Sequence, residues 1–282
     1  MSENNQLKKQ FFFPGCSLVS SAKENYYSIY LVTKYLGIQL VELQDWNCCG
    51  TSSAHSINSQ LALDLALRNI YLAREAGTLL VACPTCFIRL KLAHTLIKSD
   101  PKNINKFENY YGARFPKDLD IVPILEFLKR HSDKIKKVVD LNGLKFAPYY
   151  GCMLNLPPSI KREMTFSKVM ESLLKKLGGN AVLWGYKSVC CGTFLSVVKP
   201  ETVTPVVNKI FLSAMEAGAE CIVTACSMCH LNLEIRCNLS NKIPVFHFSE
   251  LLALAIGESS HISWFKRHII NPLPLLKKKN LL

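Results

Sequence analysis

Ten cysteines stand in two sets of five, each with the order lone cysteine, adjacent pair, CxxC. The first set is Cys16, Cys48, Cys49, Cys83 and Cys86, spaced C-x31-CC-x33-CxxC. The second is Cys152, Cys190, Cys191, Cys226 and Cys229, spaced C-x37-CC-x34-CxxC. A lone CxxC is a weak signal, whereas two full copies of a five-thiol pattern are a strong one. Thiolates are soft ligands, so an all-cysteine set suits zinc or an iron–sulfur core. A structural zinc closes at four tetrahedral ligands, and an ordinary cubane cluster also takes four. The fifth cysteine is then either a spare thiolate or part of an iron–sulfur core with bridging sulfurs. An adjacent Cys-Cys pair suits bridging because its sulfurs are forced to stay close. The extra ligand favours iron over zinc.

The elements that must deliver these thiols repeat as well. Phe11-Phe12-Phe13 reads as a strand running into Pro14-Gly15-Cys16, followed by a helix over about 21–35 that stops at Gly37. Ile38 to Leu43 alternates like a half-buried strand before Cys48-Cys49-Gly50, and a second helix over about 56–76 ends at Gly77. Leu79-Leu80-Val81 then delivers Cys83-Pro84-Thr85-Cys86, and Pro123 to Leu128 closes the half. After Gly143 the order recurs. A strand over Phe146 to Tyr150 leads to Gly151-Cys152, and a helix over about Thr165 to Leu177 stops at Gly178-Gly179. The strand Ala181 to Trp184 precedes Cys190-Cys191-Gly192, and a helix ends at Glu216-Ala217-Gly218, matching Glu75-Ala76-Gly77. Cys221-Ile222-Val223 precedes the second CxxC, and Pro244-Val245-Phe246 with Glu250-Leu251-Leu252 echoes the first closing segment.

Cys190 lies 142 residues after Cys48, and Cys226 lies 143 after Cys83, so the register of the two copies is almost constant. Two copies make a paired domain rather than a solenoid. Strands alternating with helices predict an α/β fold of two pseudo-repeated halves, each with its five-cysteine site at strand ends. The junction falls at about 135–143, where Val138-Val139 could add one short strand. Glycines beside the cysteines (Gly15, Gly50, Gly151 and Gly192) leave the backbone free to approach a bulky inorganic core.

Composition narrows the class. The chain has 282 residues, 49% hydrophobic and 20% charged, which suits one large or two modest globular domains. Its apolar runs fall short of the roughly 18 residues that suggest a membrane span. The N-terminus, MSENNQLKKQFFFPGC, does not read as a secretory signal, so the expected location is the cytoplasm. Disulfide scaffolding is a poor fit for a long chain in a reducing compartment. A formal charge of +13 favours acidic partners or surfaces, but the basic residues are scattered and no nucleic-acid motif accompanies them. Cys221 and Cys237 fall outside the pattern and read as small packing residues.

The repeated CCG, preceded by PGC or YGC and followed by CxxC, resembles the cysteine-rich CCG domain, and two copies in one chain resemble the B-type subunit of heterodisulfide reductase. The likeness runs from about Phe12 to Gly257. It divides the chain into a first CCG domain at 1–134, a junction at 135–144, a second CCG domain at 145–258 and a basic C-terminal tail at 259–282. The resemblance implies two noncubane [4Fe–4S] clusters, one on Cys16, Cys48, Cys49, Cys83 and Cys86, the other on Cys152, Cys190, Cys191, Cys226 and Cys229. It also implies an oxidoreductase acting on a disulfide or dithiol held between the clusters. Electrons would come through a C-type iron–sulfur subunit and an A-type flavoprotein subunit, since this chain has no G-x-G-x-x-G fingerprint.

After the second CCG the chain reads Thr193-Phe194-Leu195-Ser196-Val197-Val198, not the glycine-rich, arginine-bearing segment of methanogen enzymes acting on the coenzyme M–coenzyme B disulfide. The first CCG is followed by Thr51-Ser52-Ser53-Ala54-His55, so the particular disulfide stays open. CCG repeats also occur in succinate, glycolate and lactate oxidation complexes that pass electrons toward quinone. In that reading the tail from His261 to Leu282, with Trp264, Phe265 and terminal lysines, would make peripheral contact with the inner membrane face, although Pro272 and Pro274 interrupt a long helix. Docking on a partner subunit or on its own domain are the other uses of this tail. His55 and His230 sit beside motif cysteines, and Arg89 and Lys91 follow the first CxxC, yet each has an ordinary packing or solvated role open to it. No catalytic side chain is assigned.

Overall fold

A computed structural model describes residues 7–51, 53–154, 166–258 and 262–282. Ser52, Thr165 and His261, named above, lie outside the described residues. The chain divides into two compact units, one made of Met1–Cys16 and Gly37–Phe127, the other of Ser17–Leu36 and Leu128–Leu282.

The first unit is built on β1 (Lys8–Phe13), β2 (Ile38–Glu42), β3 (Thr78–Val81) and β4 (Asp120–Pro123). They form a parallel sheet in the order β2-β1-β3-β4. Leu79, Leu80 and Val81 are fully buried, as expected of a central parallel strand covered on both faces. Its helices are α3 (Ser53–Ile57), α4 (Ser59–Leu72), α5 (Pro84–Lys98) and α6 (Pro101–Tyr111), while α1 (Cys16–Val19) and α7 (Ile124–Arg130) each run from the first unit into the second.

The second unit repeats the plan with β5 (Lys145–Tyr149), β6 (Asn180–Ala181), β7 (Cys221–Thr224) and β8 (Val245–His247), in the parallel order β6-β5-β7-β8. Its helices are α2 (Lys23–Tyr35), α8 (Val169–Lys176), α9 (Pro200–Glu216), α10 (Ser227–Arg236), α11 (Phe248–Ala255) and α12 (Leu273–Lys278), with 3₁₀ turns at Thr193–Leu195 and Ile262–Arg267. Helix α2 packs on α11. Its Ile29 and Val32 are buried, and Ser28 Oγ lies 2.6 Å from Ser249 Oγ.

The expected α/β halves are therefore present, with three local corrections. The helix read over 56–76 is two pieces, α3 and α4. The break falls at Asn58, whose side chain accepts from the N–H groups of Gln60 at 2.8 Å and Leu61 at 3.1 Å and so starts a new helix. The strand read over Ala181 to Trp184 stops at Ala181. Val182 N still donates to Phe146 O at 2.9 Å, but the next ladder bond would need an N–H from Pro148, which has none. Val138-Val139 is not a strand, because both N–H groups go to the single carbonyl of Ala255, at 2.8 and 2.9 Å.

Candidate metal centres

In each sheet the chain moves to one side after its first strand and to the other side after its second, so the carboxyl ends of β1 and β3, and of β5 and β7, flank a topological switch point. The motif cysteines lie there. Cys16 follows β1, Cys48 and Cys49 follow β2, and Cys83 and Cys86 follow β3. Cys152, Cys190 with Cys191, and Cys226 with Cys229 follow β5, β6 and β7 in the same way.

Both CxxC motifs open helices. Cys83 caps α5, with Pro84 in its first turn, and Cys226 caps α10. Cys86 and Cys229 thus sit in the first turn of each helix, where unpaired N–H groups and the helix dipole favour negative charge on sulfur. Thr224 Oγ1 accepts from Cys226 N at 3.1 Å, and Asn232 Nδ2 donates to the Cys191 carbonyl at 2.7 Å, tying the adjacent pair to α10. In the first unit Asn47 Nδ2 donates to the Cys48 carbonyl at 2.8 Å. The loop into Cys190 is fixed by Tyr149, whose hydroxyl donates to Val189 O at 2.6 Å.

The glycines allow close approach. Gly15 and Gly151 have φ of +77° and +65°, and a Cβ there would meet Cys86 Sγ at 3.1 Å and Cys229 Sγ at 3.3 Å. The structure links the sulfurs in pairs: in the first set Cys48 with Cys16 and Cys49, and Cys86 with Cys49 and Cys83. In the second, Cys152 Sγ donates to Cys190 Sγ at 3.6 Å, and Cys191 Sγ lies 3.4 Å from Cys229 Sγ.

Shared protons split the thiols. Hydrogen bonds from Cys16 and Cys49 hold Cys48 down to about 2, while sharing with Cys48 pushes Cys49 up to about 11. The bond from Cys152 lowers Cys190 to about 6, and the same bond pushes Cys152 up. Cys86 and Cys229 are pushed up by hydrogen bonds to Cys49 and Cys191, then by those to Cys83 and Cys226 and by burial. Thiols linked pair by pair in this way fit a soft cationic core that would replace those protons.

Each set has an inner and an outer part. Cys49, Cys83 and Cys86 are buried, as are Cys191, Cys226 and Cys229. Cys16 and Cys190 are exposed, and Cys48 and Cys152 are partly so. Each set is therefore anchored inside and open on one side.

The other residues read from the sequence stand apart. Cys221 is buried in β7, and desolvation pushes its thiol up. Cys237 ends α10 and is also buried. His55 is exposed and Arg89 half-buried. His230 points into a buried polar group with Asn25, Glu234, Glu250 and His268, which the sequence reading missed. The His230–Glu234 spacing of four on α10 was its one local signal.

The chain matches the cysteine-rich CCG domain twice, over residues 11–91 and 146–234, and it belongs to this family. It is 30% identical to the 8-methylmenaquinol:fumarate reductase membrane anchor subunit of Wolinella succinogenes, over 89% of this chain and 93% of that protein. It is 27% identical to the B-type subunit of the ferredoxin/F(420)H(2)-dependent CoB-CoM heterodisulfide reductase of Methanosarcina acetivorans, over 96% of this chain and 97% of that one. A crystal structure of a hypothetical protein from Helicobacter pylori shares the fold, with a TM-score of 0.74 at 13% identity over 94% of this chain. The chain spans 53% of that protein's length.

Proposed function

We propose that this chain is the disulfide-handling, B-type subunit of a heterodisulfide reductase-like complex, and that its ten motif cysteines hold two [4Fe–4S] clusters of noncubane type. The observation that carries the reading is the pair of complete five-sulfur sets, each buried on one side and open on the other. The heterodisulfide reductase relatives match nearly the whole chain, which supports the same assignment.

Reductive cleavage breaks one S–S bond, takes up two electrons and two protons, and leaves two thiols. Clusters bound at these sites would supply electrons singly, and two partners, a C-type iron–sulfur subunit and an A-type flavoprotein subunit, would replenish them. The chain's own part is positional. Cys83, Cys86, Cys226 and Cys229 anchor from helix starts, the glycines admit the bulky core, and the open side at Cys16 and Cys190 admits a sulfur substrate or electron partner.

Anaerobic purification with iron and acid-labile sulfide analysis tests the assignment. The expected content is about eight irons per chain, and Cys191→Ala should remove about half. Fewer than about two irons, with zinc in their place, overturns it. Paramagnetic resonance of the oxidised protein should change on adding a thiol, and an unchanged spectrum removes the disulfide chemistry.

One observation favours a second reading, an electron-transfer subunit of a quinone-linked dehydrogenase. The Wolinella relative is named a membrane anchor subunit. No helix among the described residues is long and apolar enough to cross a membrane. Oxidation of the reduced protein by a menaquinone analogue, with no reaction toward disulfides, would favour this reading over the first.

A further inference from the structure

A second kind of ligand set lies in the second unit, outside the ten cysteines. His230 and Glu234 are four residues apart on one face of α10, and His268 comes from the C-terminal segment. Their side chains are almost wholly buried, at 3%, 3% and 0% exposure. Each has one polar atom without a hydrogen-bond partner: Nε2 of His230, Oε1 of Glu234 and Nδ1 of His268. Glu234 Oε1 stands close to the other two. Glu234 Oε1 is 3.3 Å from His268 Nδ1 and 3.8 Å from His230 Nε2. Ligands about 2.0–2.1 Å from a tetrahedral zinc stand roughly 3.4 Å apart, which both separations from Glu234 approach.

The opposite atom of each side chain is already held. His230 Nδ1 lies 3.3 Å from Asn25 Oδ1, His268 Nε2 donates to Glu250 Oε1 at 2.9 Å, and Glu234 Oε2 accepts from Ile269 N at 2.8 Å. Glu250 Oε2 in turn accepts from His247 N at 2.8 Å. His230, Glu250 and His268 also present donor atoms within 4.8 Å of one another, but both Glu250 oxygens are engaged, so Glu250 orients His268 rather than competing as a ligand. Imidazoles fixed through their far nitrogen by an amide or a carboxylate are the usual support of a metal-binding histidine.

Charge points the same way. Glu24 is buried with Oε2 unpartnered, near enough to this group that His230, Glu250 and His268 act on its carboxyl. Burial pushes the Glu24 carboxyl up, and buried carboxylates and imidazoles this close together are costly unless their charges are compensated.

The geometry points to a third, cysteine-free site in which His230 Nε2, Glu234 Oε1 and His268 Nδ1 bind one zinc ion, with Glu250 and Asn25 orienting the imidazoles. The ion would pin the C-terminal segment to α10. It would stand one residue along the chain from Cys229, yet its existence does not depend on disulfide chemistry at the cysteine sets.

The test is elemental analysis with zinc X-ray absorption on the anaerobically purified chain, dialysed against zinc and then buffer. The expected result is about one zinc per chain with a nitrogen and oxygen shell near 2.0–2.1 Å. His268→Gln and Glu234→Gln should each lower zinc at least tenfold while iron and sulfide stay unchanged. Glu250→Gln, which keeps all three ligands, should weaken zinc by about 10–100-fold and carries the test if the ligand variants fail to fold. No zinc uptake, zinc with sulfur neighbours near 2.3 Å, or zinc retained in the variants would overturn the inference.

Discussion

At Gly50 and Gly192, the residues closing the two CCG motifs, the backbone has φ of +80° and +76°. An L side chain pays about 1–2 kcal/mol for that conformation. The surroundings differ in how far they can yield. A Cβ at Gly192 would meet Val203 Cγ2 at 3.1 Å, and that valine can shift on α9. A Cβ at Gly50 would meet the backbone Cα and O of Ala62 at 3.1 Å, and a helix backbone cannot step aside. Gly192→Ala is therefore expected to cost about 1–3 kcal/mol, and Gly50→Ala more than that. Each should lower the iron held by its own half and spare the other. Urea denaturation and iron per chain check both variants, and equal effects of the two would refute the contrast drawn between them.

Among the elements, α4 owes its start to one side chain. Asn58 satisfies two N–H groups at the helix that follows the first cysteine pair. Asn58→Ala should cost about 1 kcal/mol, read as a lower urea midpoint at unchanged slope. Much at this scale was legible in the sequence. Gly37 and Gly218 follow their helices where expected, each with positive φ, whereas the helix read up to Gly77 already ends at Leu72. The strands that carry Cys16, Cys83, Cys152 and Cys226 also stand where their apolar runs predict. What the sequence hid depends on partners distant along the chain. The shortening of β6 is caused by Pro148 in β5, which shows only once the register Phe146↔Ala181 is known. The polar stripe of α2, with Asn25 and Ser28, has no meaning until Ser249 and His230 are placed beside it. The convergence of five sulfurs per half was legible because a duplicated spacing constrains it. The His–Glu group was not, because its members come from α10, α11 and the C-terminal segment and obey no repeat.

For the molecule as a whole, the consequential feature is what the C-terminal segment does with its apolar residues. Trp264, Phe265, Leu276 and Leu281 are buried within the second unit, and His268 reaches Glu234 and Glu250. Farther along, Lys279 Nζ lies 2.7 Å from Glu220 Oε2, and Asn142 Nδ2 donates to Lys279 O at 2.6 Å. An amphipathic membrane anchor needs its apolar face free, and here that face is built into the core. Of its apolar residues Ile269 and Leu282 stay exposed, so contact of this segment with an anionic surface rests mainly on Lys266, Arg267 and the terminal lysines, and salt screens such contact over about 8 Å at physiological strength. Phe265→Ala should cost about 3–5 kcal/mol in stability, whereas Lys278→Ala should stay within about 0.5 kcal/mol. Glu220 adds a pH signature. Desolvation opposes its charge, but the Lys145 N–H and the Lys279 ammonium prevail and hold its carboxyl below the usual range. Its contribution is therefore present above the unfolded value, near 4.5, and is lost as pH falls through the lower folded value. Glu220→Gln should flatten part of the acid limb of a stability–pH curve and leave the neutral plateau nearly level. Vesicle sedimentation completes the argument: binding to anionic lipid should vanish at high salt. Binding that persists at high salt and is lost in Phe265→Ala would mean that the segment leaves the core to enter the membrane.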